Sequence, residues 1–122
     1  MQSLLARFTP YLYALLRIVA GLLFAQHGVQ KLFGLLGGTA VPLLSQRGVA
    51  GVVETFGGLA IALGAFTSPV AFVASGQMAV AYFQAHLPRG FWPIQNGGEL
   101  AVLFCFLFLY IASRGSGKWS LR

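Results

Sequence analysis

The sequence predicts an all-α protein embedded in a membrane as an antiparallel bundle of four helices. Three observations lead to this fold class. Hydrophobic residues make up 57% of the 122-residue chain and charged residues only 8%, and mean hydropathy is +0.79. Soluble domains carry about 25% charged residues, so a water-facing surface cannot be built from this composition. The length fits one domain, 1–122, and the scarce charges separate apolar runs that are long enough to cross a bilayer.

Span one is predicted at residues 11–26. This run is apolar apart from Arg17 and has about the length needed to cross the hydrocarbon core. A signal peptide is the competing interpretation, but Arg17 splits the apolar segment and similar segments follow it. We therefore expect a membrane helix.

Spans two and three are predicted as a helical hairpin at residues 49–66 and 70–86. Residues 55–88 contain no Asp, Glu, Lys or Arg, and this length suits two spans. Ser68 is expected to cap the third helix, and Pro69 suits its first turn because proline cannot continue a helix but is tolerated at its start.

Span four, at residues 97–112, completes an antiparallel bundle with both termini on the same side. The positive-inside rule favours the cytoplasm for that side, because it carries more Lys and Arg than the other. The two sets are Arg7, Arg114, Lys118 and Arg122 against Lys31, Arg47 and Arg89.

Ionisable side chains within the spans are the candidate functional residues. An Arg or Asp at a helix centre costs roughly 2.5–3.5 kcal/mol on insertion scales, so each such residue needs a reason. Arg17 lies about 15 Å below His27, and we expect it to pair with Glu54, Glu99 or both. One residue from each helix is expected in the same, exoplasmic half of the bundle: His27, Glu54, His86 and Glu99.

A phenol and an imidazole lie on one face of span three, since Tyr82 and His86 are four residues apart. Together with a nearby carboxylate they suit a quinone headgroup, whose carbonyls accept hydrogen bonds and whose reduction takes up protons that Glu or His can relay. Two structural alternatives stay open: a clasp between Arg17 and the glutamates, and a packing stripe at Tyr82.

Metal, thiol and nucleic-acid chemistry are not expected. The di-iron motif Glu-x-x-His is absent, and a haem held by His27 and His86 is geometrically conceivable but has no motif. Cys105 is the single cysteine, which excludes an internal disulfide or dithiol. The eight Lys and Arg are scattered singly, unlike the basic patches of nucleic-acid-binding proteins.

A resemblance to a known family covers residues 11–121 and rests on a series of short motifs. Their order is Arg17-x3-Gly21-x2-Phe24-x2-His27-Gly28-x2-Lys31-Leu32, Glu54-x2-Gly57-Gly58-x5-Gly64-x2-Thr67, then Met78, Ala81, His86, Gly90-Phe91 and Asn96-Gly97-Gly98-Glu99, and finally Gly115-x-Gly117-x2-Ser120-Leu121. In this order and spacing the chain resembles the DoxX family of membrane proteins.

The resemblance implies a four-span, multi-pass plasma-membrane protein of bacteria or archaea, related to the small membrane subunit of a thiosulfate:quinone oxidoreductase. We expect a redox subunit that passes electrons from a sulfur compound or another reductant into the quinone pool. The expected cofactor is an exchangeable quinone, with no metal or haem. The expected partners are the lipid bilayer, a subunit of a redox complex and further copies of the chain, with no nucleic acid.

The predicted site divides into two sets. The catalytic set is Glu54, Glu99 and Arg17, and the quinone-binding set is His27, Tyr82, His86 and Lys31. The alternative function is a non-catalytic membrane anchor or assembly module. Transport of a small anion or metal is disfavoured, because the cytoplasmic halves of the spans contain almost no polar residues.

Overall fold

The structure, a computed structural model, describes residues 1–121, and all regular structure in that range is helical. The predicted all-α class is therefore confirmed. The α-helices are α1 (Gln2–Ala6), α2 (Thr9–Phe33), α3 (Gln46–Val52), α4 (Gly58–Leu63), α5 (Thr67–Ala81), α6 (Pro93–Asn96) and α7 (Glu99–Arg114). Two π-helical stretches interrupt them. The first π segment (Val53–Gly57) joins α3 to α4, and the second π segment (Tyr82–His86) continues α5 into a short 3₁₀ turn.

Helix α2 is the one helix of the described residues that is long and apolar enough by itself to cross a membrane. It begins with a proline in its first turn and ends at Gly34, which adopts a left-handed conformation with φ 67°. The other helical paths are shorter or interrupted by π turns. The four-span arrangement therefore stays a prediction.

The turn between α4 and α5 lies earlier than predicted. Helix α4 ends at Gly64, whose φ of 73° breaks the helix, and Phe66 is the N-cap residue of α5. Pro69 lies in the first turn of α5, as expected. The predicted cap at Ser68 is wrong, because the helix has already begun before this residue.

The helices pack in two pairs, α2 along the path from α3 to α4, and α5 along α7. The first pair brings backbones into contact at two glycines. A Cβ atom on Gly21 would lie 2.5 Å from the carbonyl oxygen of Gly58, and a Cβ on Gly58 would lie 2.5 Å from that of Gly21. Such close approach through small residues is typical of helix association in lipid.

An aromatic cluster joins the two pairs. The ring of Phe24 on α2 lies 4.8 Å from that of Phe108 on α7, and Phe104 stacks on Phe108 at 5.2 Å. Ala71 and Ala74 on α5 are fully buried beside this cluster. Large apolar side chains on the outside of all four helical paths are exposed, among them Leu16, Val19, Leu59, Val73, Leu103 and Phe106.

Both ends of the described chain lie at the same end of the molecule, which we call the terminal end. The rings of Tyr11 and Trp119 are 5.5 Å apart, and the hydroxyl of Tyr13 donates to the carbonyl of Gly115 at 2.7 Å. The C-terminal segment (residues 115–121) folds back here. The opposite end, with the loops around residues 34–45 and 87–98, is the loop end. Arg122, counted above among the positive residues, lies outside the described residues.

Candidate functional site

The two π segments carry three of the predicted site residues. Glu54 lies in the first π segment, and Tyr82 and His86 begin and end the second. A π turn inserts one residue into the helical repeat and therefore shifts the direction of the side chains around it, which is why such turns are frequent at functional sites. Both segments lie towards the loop end.

A cavity of about 250 Å³ lies between these segments, α2 and α7. It contains four of the seven predicted site residues, His27, Lys31, Glu54 and His86, within a mainly apolar wall. The structure thus brings together one residue from each of three helical paths, plus a second from α2. The remaining lining residues are Phe24, Met78, Ala81, Gly97, Leu100, Ala101 and Phe104. We call this space the loop-end cavity.

Glu54 is the most deeply buried polar group of the loop-end cavity. The residue is 1% exposed, and its Oε2 accepts hydrogen bonds from Lys31 Nζ at 2.6 Å and Gln77 Nε2 at 2.7 Å. The Lys31 side chain is 24% exposed, so the ion pair extends from the buried carboxylate towards the molecular surface. Charge-assisted bonds of this length are among the stronger hydrogen bonds of proteins.

The second carboxylate oxygen has capacity left. Glu54 Oε1 is buried and has no hydrogen-bond partner among the described residues. A buried acceptor left without a donor costs about 1–3 kcal/mol, and more when it is charged. The unpaired oxygen of a residue that lines the cavity is therefore a candidate acceptor for a donor group of a ligand or of water.

His86 is held in one tautomer. Its Nδ1 lies 3.2 Å from the carbonyl oxygen of Asn96. Because a carbonyl oxygen only accepts, Nδ1 donates in this contact, and in the neutral form of the ring Nε2 is then the acceptor. His27, on the facing wall, has its ring edge-on to Phe104 with centroids 6.4 Å apart.

Tyr82 lies behind His86, outside the residues that line the loop-end cavity in the described chain. Its hydroxyl accepts from Asn96 Nδ2 at 3.1 Å. The ring is 6.2 Å from that of His86, and a Cβ on Gly98 would lie 2.7 Å from it. Tyr82 thus orders the loop that follows His86, and its predicted contact with a ligand stays a prediction.

The predicted pairing of Arg17 with Glu54 or Glu99 is wrong. Arg17 is fully buried, and within residues 1–121 its guanidinium donates, at the terminal end, only to backbone carbonyls of α4 and of the C-terminal segment. The acceptors are Ile61 at 3.0 Å, Ala62 at 3.4 Å, Lys118 at 2.8 Å, Trp119 at 2.6 Å, and Ser116.

Side-chain direction explains this correction. In an α-helix the Cα–Cβ bonds tilt towards the N-terminus, and the N-terminus of α2 lies at the terminal end. Arg17 therefore points away from Glu54, while Lys31, about 21 Å further along α2, points back towards it. Arg17, Gly21, Phe24 and Gly28 are all buried on α2, so the error lies in the expected direction of the Arg17 side chain along the helix.

Glu99 does not join the loop-end cavity. It is the first residue of α7, it is exposed, and it borders a separate open hollow. The buried face of α7 begins at Ala101 and continues through Phe104 and Phe108. Ala101 is two positions after Glu99, which corresponds to a rotation of roughly 200° about the helix axis. The Glu99 carboxylate therefore lies on the other side of the helix. The expected convergence of both glutamates is wrong.

Two residues of the site were missed by sequence reasoning. Gln77 donates to Glu54, and its signal was an amide inside an apolar run, at helical spacing from Ala81. Asn96 is 1% exposed, donates to Tyr82 and to the carbonyl of Gly90, and accepts from the backbone N–H of Gly98. The sequence shows Asn96 only as part of a loop motif.

Comparison with known proteins covers most of these residues. The model of the DoxX family matches residues 12–87. An uncharacterized protein of Haemophilus influenzae is similar over 127 aligned residues at 42% identity, which covers 96% of this chain and 92% of that protein. No solved structure matches the chain. The four predicted site residues that line the loop-end cavity lie inside the family match: His27, Lys31, Glu54 and His86.

Proposed function

The chain belongs to the DoxX family, as the motifs predicted, and is a membrane protein; we propose that it is a redox subunit whose loop-end cavity binds a single-ring quinone or quinol. The observation that carries this proposal is the composition of the cavity. It combines apolar walls with an ion pair and two imidazoles, and one carboxylate oxygen has no donor in the part of the chain that the structure describes. Few convergent polar groups in an apolar cavity are typical of small-molecule sites.

The size of the cavity suits one substituted ring. Its volume is about 250 Å³, and an apolar cavity of about 150 Å³ is enough to hold benzene. Phe24 and Phe104, whose rings are 5.8 Å apart, supply apolar wall for such a ring. We propose that an isoprenoid or alkyl tail, where present, leaves the cavity between the helices.

We propose that the chain crosses the plasma membrane four times. The path from α3 to α4 is roughly 27 Å long, α7 is roughly 24 Å, and α5 with the second π segment is roughly 30 Å, all close to the hydrocarbon thickness. Exposed Leu, Val and Phe side chains on each path support this arrangement. The terminal end is then cytoplasmic, and the loop end with its cavity is exoplasmic.

A bound quinone supplies two-electron, two-proton redox chemistry. In our proposal the quinone takes up two electrons from the reductant and two protons: Glu54 Oε1, protonated from solvent, gives one proton to the ligand oxygen beside it, the second proton comes from solvent, and Lys31 holds the carboxylate in place. The partly exposed ammonium of Lys31 leads from the buried carboxylate to solvent, which gives the proton a path. Electrons come from a reductant such as a sulfur compound, acting through a partner subunit.

The test is the amount of quinone that stays with gently solubilised protein. We expect near one extracted quinone per wild-type chain. Ala81→Phe places a ring in the cavity and is expected to remove most of this quinone. Val80→Phe is the matched control, because Val80 is exposed on the same helix. Wild-type protein without quinone, or equal retention by the two variants, would show that the proposal is wrong.

A membrane anchor or assembly module is the second candidate, favoured by the contacts of Arg17. This residue links α2 to α4 and to the C-terminal segment through hydrogen bonds to backbone carbonyls, which is a structural role. If anchoring is the whole function, Glu54→Gln will leave the activity of a partner per assembled complex unchanged. The quinone proposal expects that activity to fall.

A further inference from the structure

The loop-end cavity offers donors at Lys31 and His27, whereas its fully buried atom without a partner is an acceptor. Glu54 Oε1 has no donor among the described residues, and an ionised carboxylate cannot donate. In the neutral form of its ring, His86 donates from Nδ1 to Asn96 and presents Nε2 as a second acceptor. The half-buried amide of Gln77 is already directed to the other oxygen of Glu54.

This asymmetry separates the two redox forms of a quinone. The oxidised form carries two carbonyl oxygens, which only accept, so against Glu54 Oε1 it would place two sets of lone pairs face to face. The reduced form carries two hydroxyls, and each donates. A site with a buried polar group built for a hydroxyl rejects the analogue that lacks it, because the group is then left unpaired.

We infer that the loop-end cavity selects the reduced, dihydroxy form of a single-ring quinone, with Glu54 Oε1 and His86 Nε2 as the accepting atoms. The inference rests on the proposed function and adds the redox form of the ligand. Lys31 and His27, the donors that line the cavity, do not oppose it, because a hydroxyl oxygen that donates to Glu54 still accepts from an ammonium or a ring N–H.

Selection of the reduced form has a consequence for electron flow. A site that binds quinol more tightly than quinone stabilises the product of reduction and raises the reduction potential of the bound ring. Uptake of electrons from a weak reductant thereby becomes more favourable. The arrangement suits a protein that delivers electrons into the quinone pool.

The experiment is anaerobic equilibrium dialysis of the full chain in lipid nanodiscs, with trimethylhydroquinone and trimethylbenzoquinone as probes. We expect the hydroquinone to bind at least about tenfold more tightly, the size expected for one hydrogen bond to a charged group. Glu54→Gln is expected to abolish this preference by weakening hydroquinone binding alone. Glu99→Gln is the control, since Glu99 is an exposed carboxylate outside the cavity.

A series of ethers keeps the test independent of any variant. Affinity for wild-type protein is expected to fall from trimethylhydroquinone to its monomethyl ether and again to its dimethyl ether, as donors are removed. Equal binding of quinone and hydroquinone, a flat ether series or a preference that survives in Glu54→Gln would overturn the inference and leave the proposed function standing. Binding of neither redox form would overturn both.

Discussion

The two ends of the molecule each bury a charge and satisfy it to different extents. At the terminal end, Arg17 donates to five backbone carbonyls and is fully buried. At the loop end, one oxygen of Glu54 has two donors and the other has none among the described residues. A satisfied polar network makes the surrounding structure rigid, whereas a half-satisfied group keeps capacity for a ligand. From this difference we propose a structural role for the terminal end and ligand binding for the loop end.

Replacement of the satisfied charge is expected to have the largest effect on stability. Arg17→Met leaves five carbonyls without their donor, and hydrogen bonds to charged groups contribute about 1.5–3 kcal/mol each. We therefore expect the free energy of unfolding to fall by about 3 kcal/mol or more, measured by denaturant titration in micelles. Arg114→Met is the control at the same end: Arg114 is exposed and lies 5.0 Å over the ring of Tyr13, a contact worth about 0.5–1 kcal/mol. Equal losses would contradict the structural role of Arg17.

At the loop end, we expect the free energy of unfolding to depend on which partner of the Lys31–Glu54 ion pair is replaced. Lys31→Met leaves the Glu54 carboxylate, 2% exposed in its side chain, without its cation, and we expect a loss of about 3 kcal/mol in unfolding free energy. Glu54→Gln alone should cost about 1 kcal/mol, because the partly exposed Lys31 ammonium can reach water.

The double variant Lys31→Met/Glu54→Gln sharpens this expectation. It removes both charges and should recover at least half of the loss seen in Lys31→Met, as measured in the same denaturant titrations. Strictly additive losses would mean that the two side chains are not coupled in the folded protein.

Loss of the Tyr82 hydroxyl is expected to have the smallest effect. Tyr82→Phe removes the acceptor of Asn96 Nδ2 but leaves that amide its bond to the Gly90 carbonyl. We expect a loss of about 1 kcal/mol in stability and unchanged hydroquinone affinity in dialysis. A tenfold loss of affinity would instead assign Tyr82 to the binding site.

Composition and the spacing of the charges were sufficient for the all-α class, because long apolar runs between scarce charges are typical of membrane helices. They could not supply the direction of a long side chain along its helix, and this explains the wrong partner for Arg17. They also could not supply the π turns, since no residue type specifies them. The direction of the Glu54 side chain depends on the first π segment. The role of Gln77 depends on its contact with Glu54 on another helix.

Binding at the loop end can be located by photocrosslinking with an azido derivative of a single-ring hydroquinone, followed by peptide mapping. We expect labels on cavity residues such as Met78, Ala101 and Phe104, and their suppression by excess trimethylhydroquinone. We expect little competed label on the C-terminal segment around Arg17. Competed labelling of that segment, or uniform labelling of the outer helix faces without competition, would contradict the assignment of binding to the loop end.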